Sequence, residues 1–223
     1  MHPLIARLDA ALATNYPEFH AALGPGSPQE DLDELERTFG IPLPQLYRDF
    51  VAWHGPDPRN QYPRSAYMIK YYELTSARNA TATLTMLREL RADEIGWIAS
   101  AWWGEHYLPL MEHGGPELVI DMKGEARLEG DGTSPYPSIA GQVLEFHHAD
   151  ELRPVHAPSL EAWIEAVAIS CERQVFGVEI NDYGKGPVLY LTDEGDRFDS
   201  VLGELAPGFP ADAVMLTMPD DYY

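Results

Sequence analysis

LERTFGIPLPQLYRDFVAWHG, residues 35–55, breaks one helical pattern at Gly40, restarts it behind Pro42 and Pro44, and ends it at Gly55. Leu35 and Phe39 share one helical face, and Leu46, Tyr47, Phe50, Val51 and Trp53 cover most of one side of the next. Gly40 suits the left-handed residue that closes a helix, and Pro44 suits the start of another. Two short helices joined by a tight, proline-stiffened hinge are therefore expected. The residue spacing assigns this stretch mainly to packing rather than to an active-site hinge.

Working outward, GPGSPQEDLDELERTFG (24–40) carries its own start signal. Ser27 is placed as the N-cap, Pro28 as the first helical residue and Glu30 as the closing member of an S-x-x-E capping box. Acids at 30, 31, 33 and 34 crowd the turns where the helix dipole favours them. Leu4, Ile5, Leu8 and Leu12 predict a helix over 3–13, and Leu84, Leu87 and Leu90 another over about 81–92. QYPRSAYMIKYYEL (61–74) reads as a loop leading into a short strand. The middle of the chain changes period. Residues 95–103, 106–111, 117–122 and 142–147 are apolar, partly alternating and bounded by glycines, as antiparallel strands require, and a brief pairing is expected at 126–128. Ser159 then opens a helix with Leu160, Trp163, Ile164 and Val167 inside. The last fifty residues carry ten acids against Lys185 and Arg197. There VLYLT and AVMLTM read as strands between turns, and DYGKGP as a hairpin turn.

Composition bounds the function. A chain of 223 residues, 45% hydrophobic with five Trp and twelve Tyr, can bury a sizeable core. Its formal net charge of −21 argues against nucleic acid or anionic membrane as a partner, because both need a basic footprint. A cationic protein fits the charge; so does plain solubility. One cysteine, Cys171, rules out an internal disulfide and a cysteine-based zinc site, and its helical setting marks a structural thiol. The N-terminus has an apolar start interrupted by Asp9 and does not match a signal peptide, so a cytoplasmic location is expected, with export by a route lacking such a signal left open.

Candidates for chemistry are sparse. His147 and His148, in HHADE, should point to opposite faces of a strand and so not share a metal. The Glu105–His106 and Glu112–His113 pairs could do acid–base work, but flank a short strand as hairpin ends often do. G-x-S-x-G and phosphate-loop patterns are missing. Trp97, Trp102, Trp103 and Tyr107 read chiefly as core, with a ligand platform or, for some of them, a partner-facing patch as the alternatives.

These pieces, in this order, resemble the SUKH superfamily, which includes bacterial immunity proteins and a fungal cell-wall-synthesis regulator. LERTFG, IPLP and QLYRDFVAWHG resemble its two N-terminal helices. Trp103 with YLPL (107–110), HGGPELVIDM (113–122), GQVLEFHHADEL (141–152) and SLEAWIEAV (159–167) resemble its successive strands and closing helix. The resemblance covers roughly 25–170. It departs at His54-Gly55, where Asn-Gly is usual. What it implies is an α+β fold, a mixed, mostly antiparallel central sheet flanked by helices, assigned to 1–172; the last fifty residues lie outside the resemblance, and the acidic segment 173–223 is read from its composition as an extension packed on that domain or a small cap. The resemblance also implies a non-catalytic binding module without cofactor or metal. Its partner would be a cognate protein toxin, a basic nuclease above all, occluded by an acidic surface. The alternative is a regulatory or scaffolding module binding a host protein. Candidate contact residues are Glu112, His113, Glu117 and Asp121 near a sheet edge, Asp150 and Glu151 in a loop, and Asp193, Glu194 and Asp196 in the tail.

Overall fold

The computed structural model describes residues 1–56, 67–69, 72–93, 102–112, 117–126, 138–150, 152–181, 186–191 and 196–215. Seven helices are described: α1 (Pro3–Asn15), α2 (Pro17–Ala22), α3 (Gln29–Phe39), α4 (Gln45–Trp53), α5 (Ala77–Asp93), α6 (Leu160–Glu172) and α7 (Asp196–Leu205). Strands β1 (Gly24–Pro25) and β2 (His54–Gly55) form a minimal pair of their own. The main sheet is built from β3 (Tyr67–Ile69), β4 (Tyr72–Leu74), β5 (Tyr107–Glu112), β6 (Glu117–Asp121), β7 (Gln142–Phe146) and β8 (Leu152–Ala157). A hairpin, β9 (Phe176–Asn181) and β10 (Gly186–Leu191), precedes α7, and β11 (Ala211–Met215) follows it.

The main sheet runs β11-β8-β7-β6-β5-β4-β3, and every pairing among the described strands is antiparallel. The α+β class holds, without the parallel pairing that a mixed sheet would need. Strands β3 to β8 are neighbours in sequence order, a meander that needs no crossover. β6 is central, and all five of its residues are buried.

The opening stretch folds as its spacing requires. Leu32, Leu35 and Phe39 of α3 and Leu46, Tyr47, Phe50 and Val51 of α4 enter one core. Gly40 sits at φ 90°, and its N–H reaches Glu36 O at 3.0 Å. The hinge is fixed by a side chain that periodicity could not reveal. Glu36 Oε2 accepts from Leu43 N at 2.9 Å and from Arg48 Nη1 at 2.9 Å, so one carboxylate ties the end of α3 to α4. Tyr47 then donates its hydroxyl to Pro109 O in β5 at 2.8 Å, joining α4 to the sheet.

Several expectations need correction. α3 begins at Gln29 with Pro28 at the cap position and no side-chain cap, so the expected capping box does not form. Ser27 Oγ instead accepts from Ala77 N at 2.8 Å and caps α5 across space. With Ser76 Oγ bonding Asn79 N, this starts α5 four residues before its apolar spacing does. Leu84 and Leu87 are buried, but Leu90 is exposed. β8 has no counterpart among the strands expected from sequence; Arg153 and Pro154 hide its alternation. Arg153 is fully buried, donating to the carbonyls of Trp102, His147, Asp150 and Leu152 with its guanidinium 4.8 Å from the Phe146 ring centre. His147 and His148 lie just past β7 rather than on it, and their rings stack 4.9 Å apart instead of facing opposite ways. The expected 95–103 strand lies outside the described residues except at its end, where Trp102 and Trp103 are not in a strand. The expected 126–128 pairing is described only at Ala126, which is not in a strand.

Trp102, Trp103 and Tyr107 are core, each at most 1% exposed; Trp97 lies outside the described residues. The C-terminal segment contributes β9, β10 and α7, and its β11 pairs with β8 at the edge of the main sheet. α7 packs on α6, which packs on α1.

Candidate partner-binding surface

Register places three glutamates side by side across three strands: Glu73 of β4 opposite Glu112 of β5, and Glu112 opposite Glu117 of β6. Glu112 is half-buried and accepts from Thr75 Oγ1 at 3.1 Å and Asn79 Nδ2 at 3.3 Å. Glu117 is 8% exposed; burial, reinforced by the charge of Glu112, pushes its pKa up to about 9. It is therefore a neutral acid at neutral pH. Like charges directly opposed across strands repel, and a proton on one of them removes the conflict.

Asp121 is fully buried. It accepts from Glu125 N at 2.8 Å, Ala126 N at 2.9 Å and Gln142 Nε2 at 3.0 Å, so it holds the turn after β6 rather than meeting solvent. Asp150 is exposed, with Oδ1 accepting from Leu152 N at 2.8 Å to shape the loop before β8. His113, Glu151, Asp193 and Glu194 lie outside the described residues, and Asp196 opens α7 with its side chain outside them. The expected sheet edge is corrected: Glu112 and Glu117 face each other on the inner strands β5 and β6, Asp121 is buried at the other end of β6, and Asp150 faces solvent.

A surface missed from sequence lies between α3 and α5. Asp31, Glu34 and Glu89 line a groove of about 470 Å³ with Arg78, Thr81, Ala82, Thr85 and Met86. Met86 is 49% exposed, so the groove has an apolar element among carboxylates. The acids of α3 were legible, but as dipole complements; only the packing of α5 beside them makes a shared surface.

Several described cations pair with the acids of α3 itself, Arg37 with Glu34 and Arg78 with Asp31 among them. Arg48 spans Asp33 and Glu36, Arg7 spans Glu165 and Glu172, Arg91 pairs with Glu105, and Arg173 with Glu204. Arg88 donates to Thr38 O and Phe39 O at the end of α3. Glu30, Asp33 and Glu34 remain exposed on α3.

The catalytic candidates disperse. His106 bonds Glu125 at 2.9 Å while Glu105 reaches Arg91, so the Glu105–His106 pair is not a unit. His156 Nε2 lies 3.4 Å from Glu145, against the edge of Tyr72. Cys171 is buried in α6, and burial pushes its thiol up, away from the reactive thiolate. Among the described residues, Asp9, His20 and His54 bring three possible metal-ligand atoms within 4.8 Å of one another. Burial alone would raise the Asp9 pKa; hydrogen bonds from His20 and Trp53, with the nearby imidazoles, outweigh it and hold the carboxyl below its usual range.

A meander sheet with helices packed over it and a two-helix entry hinged at Gly40–Pro44 define an α+β architecture. The chain belongs to the SMI1/KNR4 family (SUKH-1), whose model matches residues 26–166. Curated proteins give no significant match to the chain. Membership supports a toxin-immunity or SMI1/KNR4-like role, and the family is generally one of non-catalytic immunity and regulatory proteins that associate with protein partners. None of the described helices is long and apolar enough to cross a membrane.

Proposed function

We propose that this chain is a cytoplasmic immunity protein that binds a cognate toxin domain, a basic nuclease domain above all, and neutralises it by covering its cationic cleft. The observation that carries the reading is the unbalanced acidic surface. The charge is −21: arginines pair with Asp31, Asp33, Glu34 and Glu36 of α3, but the chain has only 15 lysines and arginines against 36 acids, so the acidic excess remains. Carboxylates on α3, beside the α3–α5 groove, and Asp150 are left facing outward. A cationic cleft would be drawn to that field before contact, and the groove around Met86 offers an apolar footing once charges meet. The tail acids Asp193, Glu194 and Asp196 are proposed as further contacts to the same partner. Glu112, Glu117 and Asp121, on the inner strands β5 and β6, contribute through the shape of the sheet rather than by direct contact.

Co-expression with the toxin gene encoded beside it tests the proposal. Rescue of growth together with a stable complex on mixing is expected. Failure of both overturns it. Capture of a housekeeping complex instead, with no toxin gene adjacent, would favour the regulatory or scaffolding reading that the family also accommodates.

A further inference from the structure

The geometry points to a divalent transition-metal site at Asp9, His20 and His54, with zinc the fitting ion. The three residues come from α1, α2 and the junction of α4 with β2. Asp9 Oδ1 lies 2.8 Å from His20 Nε2 and 3.5 Å from His54 Nε2, and the three ligand atoms all lie within 4.8 Å of one another. Tetrahedral zinc, with bonds of roughly 2.0–2.1 Å, sets its ligand atoms about 3.3 Å apart. The cluster is therefore close to a metal's own spacing before any ion enters.

Two of the three ligands are held by an outer partner, as working sites require. His54 Nδ1 faces Gly24 O at 3.0 Å; donating there, it leaves the Nε2 lone pair aimed into the cluster. The β1–β2 pairing, which sets Pro25 opposite His54, holds that carbonyl in place. Trp53 Nε1 donates to Asp9 Oδ1 at 2.8 Å and orients the carboxylate. The His20 and His54 rings meet edge-on, 5.4 Å between centres at 87°, so both present nitrogen to a common point without clashing. Side-chain exposures of 35% for Asp9, 27% for His20 and 22% for His54 leave a route in, and room for water as a fourth ligand.

Two imidazoles and one carboxylate suit borderline first-row ions better than calcium or magnesium, which want an all-oxygen shell. The bound dication would leave the cluster one positive charge in a chain whose net charge is −21, so the surrounding field favours its capture. The ion would act as a clamp. α2 has only six residues, too few to hold a helix unaided, and a metal would tie it and α1 to the end of α4.

The test uses the full chain, stripped with chelator and dialysed. Zinc is titrated by calorimetry and cobalt(II) by visible absorption, on the wild type and on His20→Gln, His54→Gln, Asp9→Asn and His148→Ala. Glutamine still donates a hydrogen bond to Asp9 but is a poor metal ligand, so these variants should fold. Expected are one zinc per chain, proton release on binding, and a melting temperature raised by about 5–10 °C at 100-fold excess over Kd. Cobalt should show the intense bands of a four- or five-coordinate N/O site. His20→Gln and His54→Gln should each weaken binding at least about tenfold, and His148→Ala should leave it unchanged. Absence of saturable one-to-one binding by the wild type overturns the proposal. So does binding that survives the His20→Gln/His54→Gln double variant. Neither result bears on toxin neutralisation, which is read by growth rescue.

Discussion

Glu117 shows at the residue scale how a sheet of this register handles acidic density. Opposite Glu112 and nearly enclosed, it is the acid that must keep its proton. Its pKa of about 9 in the fold, against 4.5 for the free side chain, means the folded state holds a proton that the unfolded chain has lost between those values. Stability must then fall as pH rises through that window, by up to about 1.4 kcal/mol per pH unit, and level off above it. Glu117→Gln, which fixes the neutral form, should flatten the profile and be more stable than wild type at pH 8, by up to the roughly 5 kcal/mol that this slope accumulates between pH 4.5 and 8. The gap should close below pH 5. Urea denaturation across pH 5–9 reads both; a wild-type profile that rises with pH would reject the assignment. The residue was legible as an acid at the start of a strand. Its protonation was not, since that depends on which strand end lies beside it. Position 54 is the counterpart: the sequence shows a histidine where the resembled motif has asparagine, but its companions Asp9 and His20 lie 45 and 34 residues away.

At the scale of elements, the α3–α4 hinge was the most readable part of the chain, because glycine and proline act through their own backbones. Capping was misread for the opposite reason. A serine next to a proline and acids looks like a local cap, yet its hydroxyl serves α5, fifty residues on. Ser27→Ala should therefore cost about 1 kcal/mol. Hydrogen exchange should show lost protection at Ala77 and its neighbours, with the first turn of α3 unchanged; the reverse pattern would restore the local cap. Gly26 makes this crossing possible. A Cβ there would lie 2.0 Å from Ala52 O, where Ser27 N bonds Val51 O at 2.9 Å. Gly26→Ala is expected to cost at least about 3 kcal/mol, or to prevent folding, because backbone and not a flexible side chain stands in the way. β8 escaped reading because Arg153 is a buried cation, and alternation counts such a residue as outward-facing. α7 escaped because its apolar residues, Phe198, Val201 and Leu202, are few and stand among acids.

For the whole molecule, charge sets the expectation. If the acidic surface steers a basic partner, association should slow markedly between low and physiological salt while dissociation changes less. Glu34→Gln/Glu89→Gln, on either side of the groove, should lower the association rate by several-fold without moving the melting temperature by more than a degree or two. Stopped-flow mixing at two salt concentrations would measure both; an on-rate indifferent to salt and to these substitutions would remove the steering argument. By itself the sequence determined the acidic balance, the paired entry helices, the core strands β5 to β7 and the family-like order of these parts. Each depends on composition or on the period of neighbouring residues. Only the tertiary structure decided which acids face outward, which one keeps a proton, what Ser27 caps, and that Asp9, His20 and His54 meet. Those are contacts between residues far apart in the chain, and local periodicity carries no information about which distant groups the packed core will bring together.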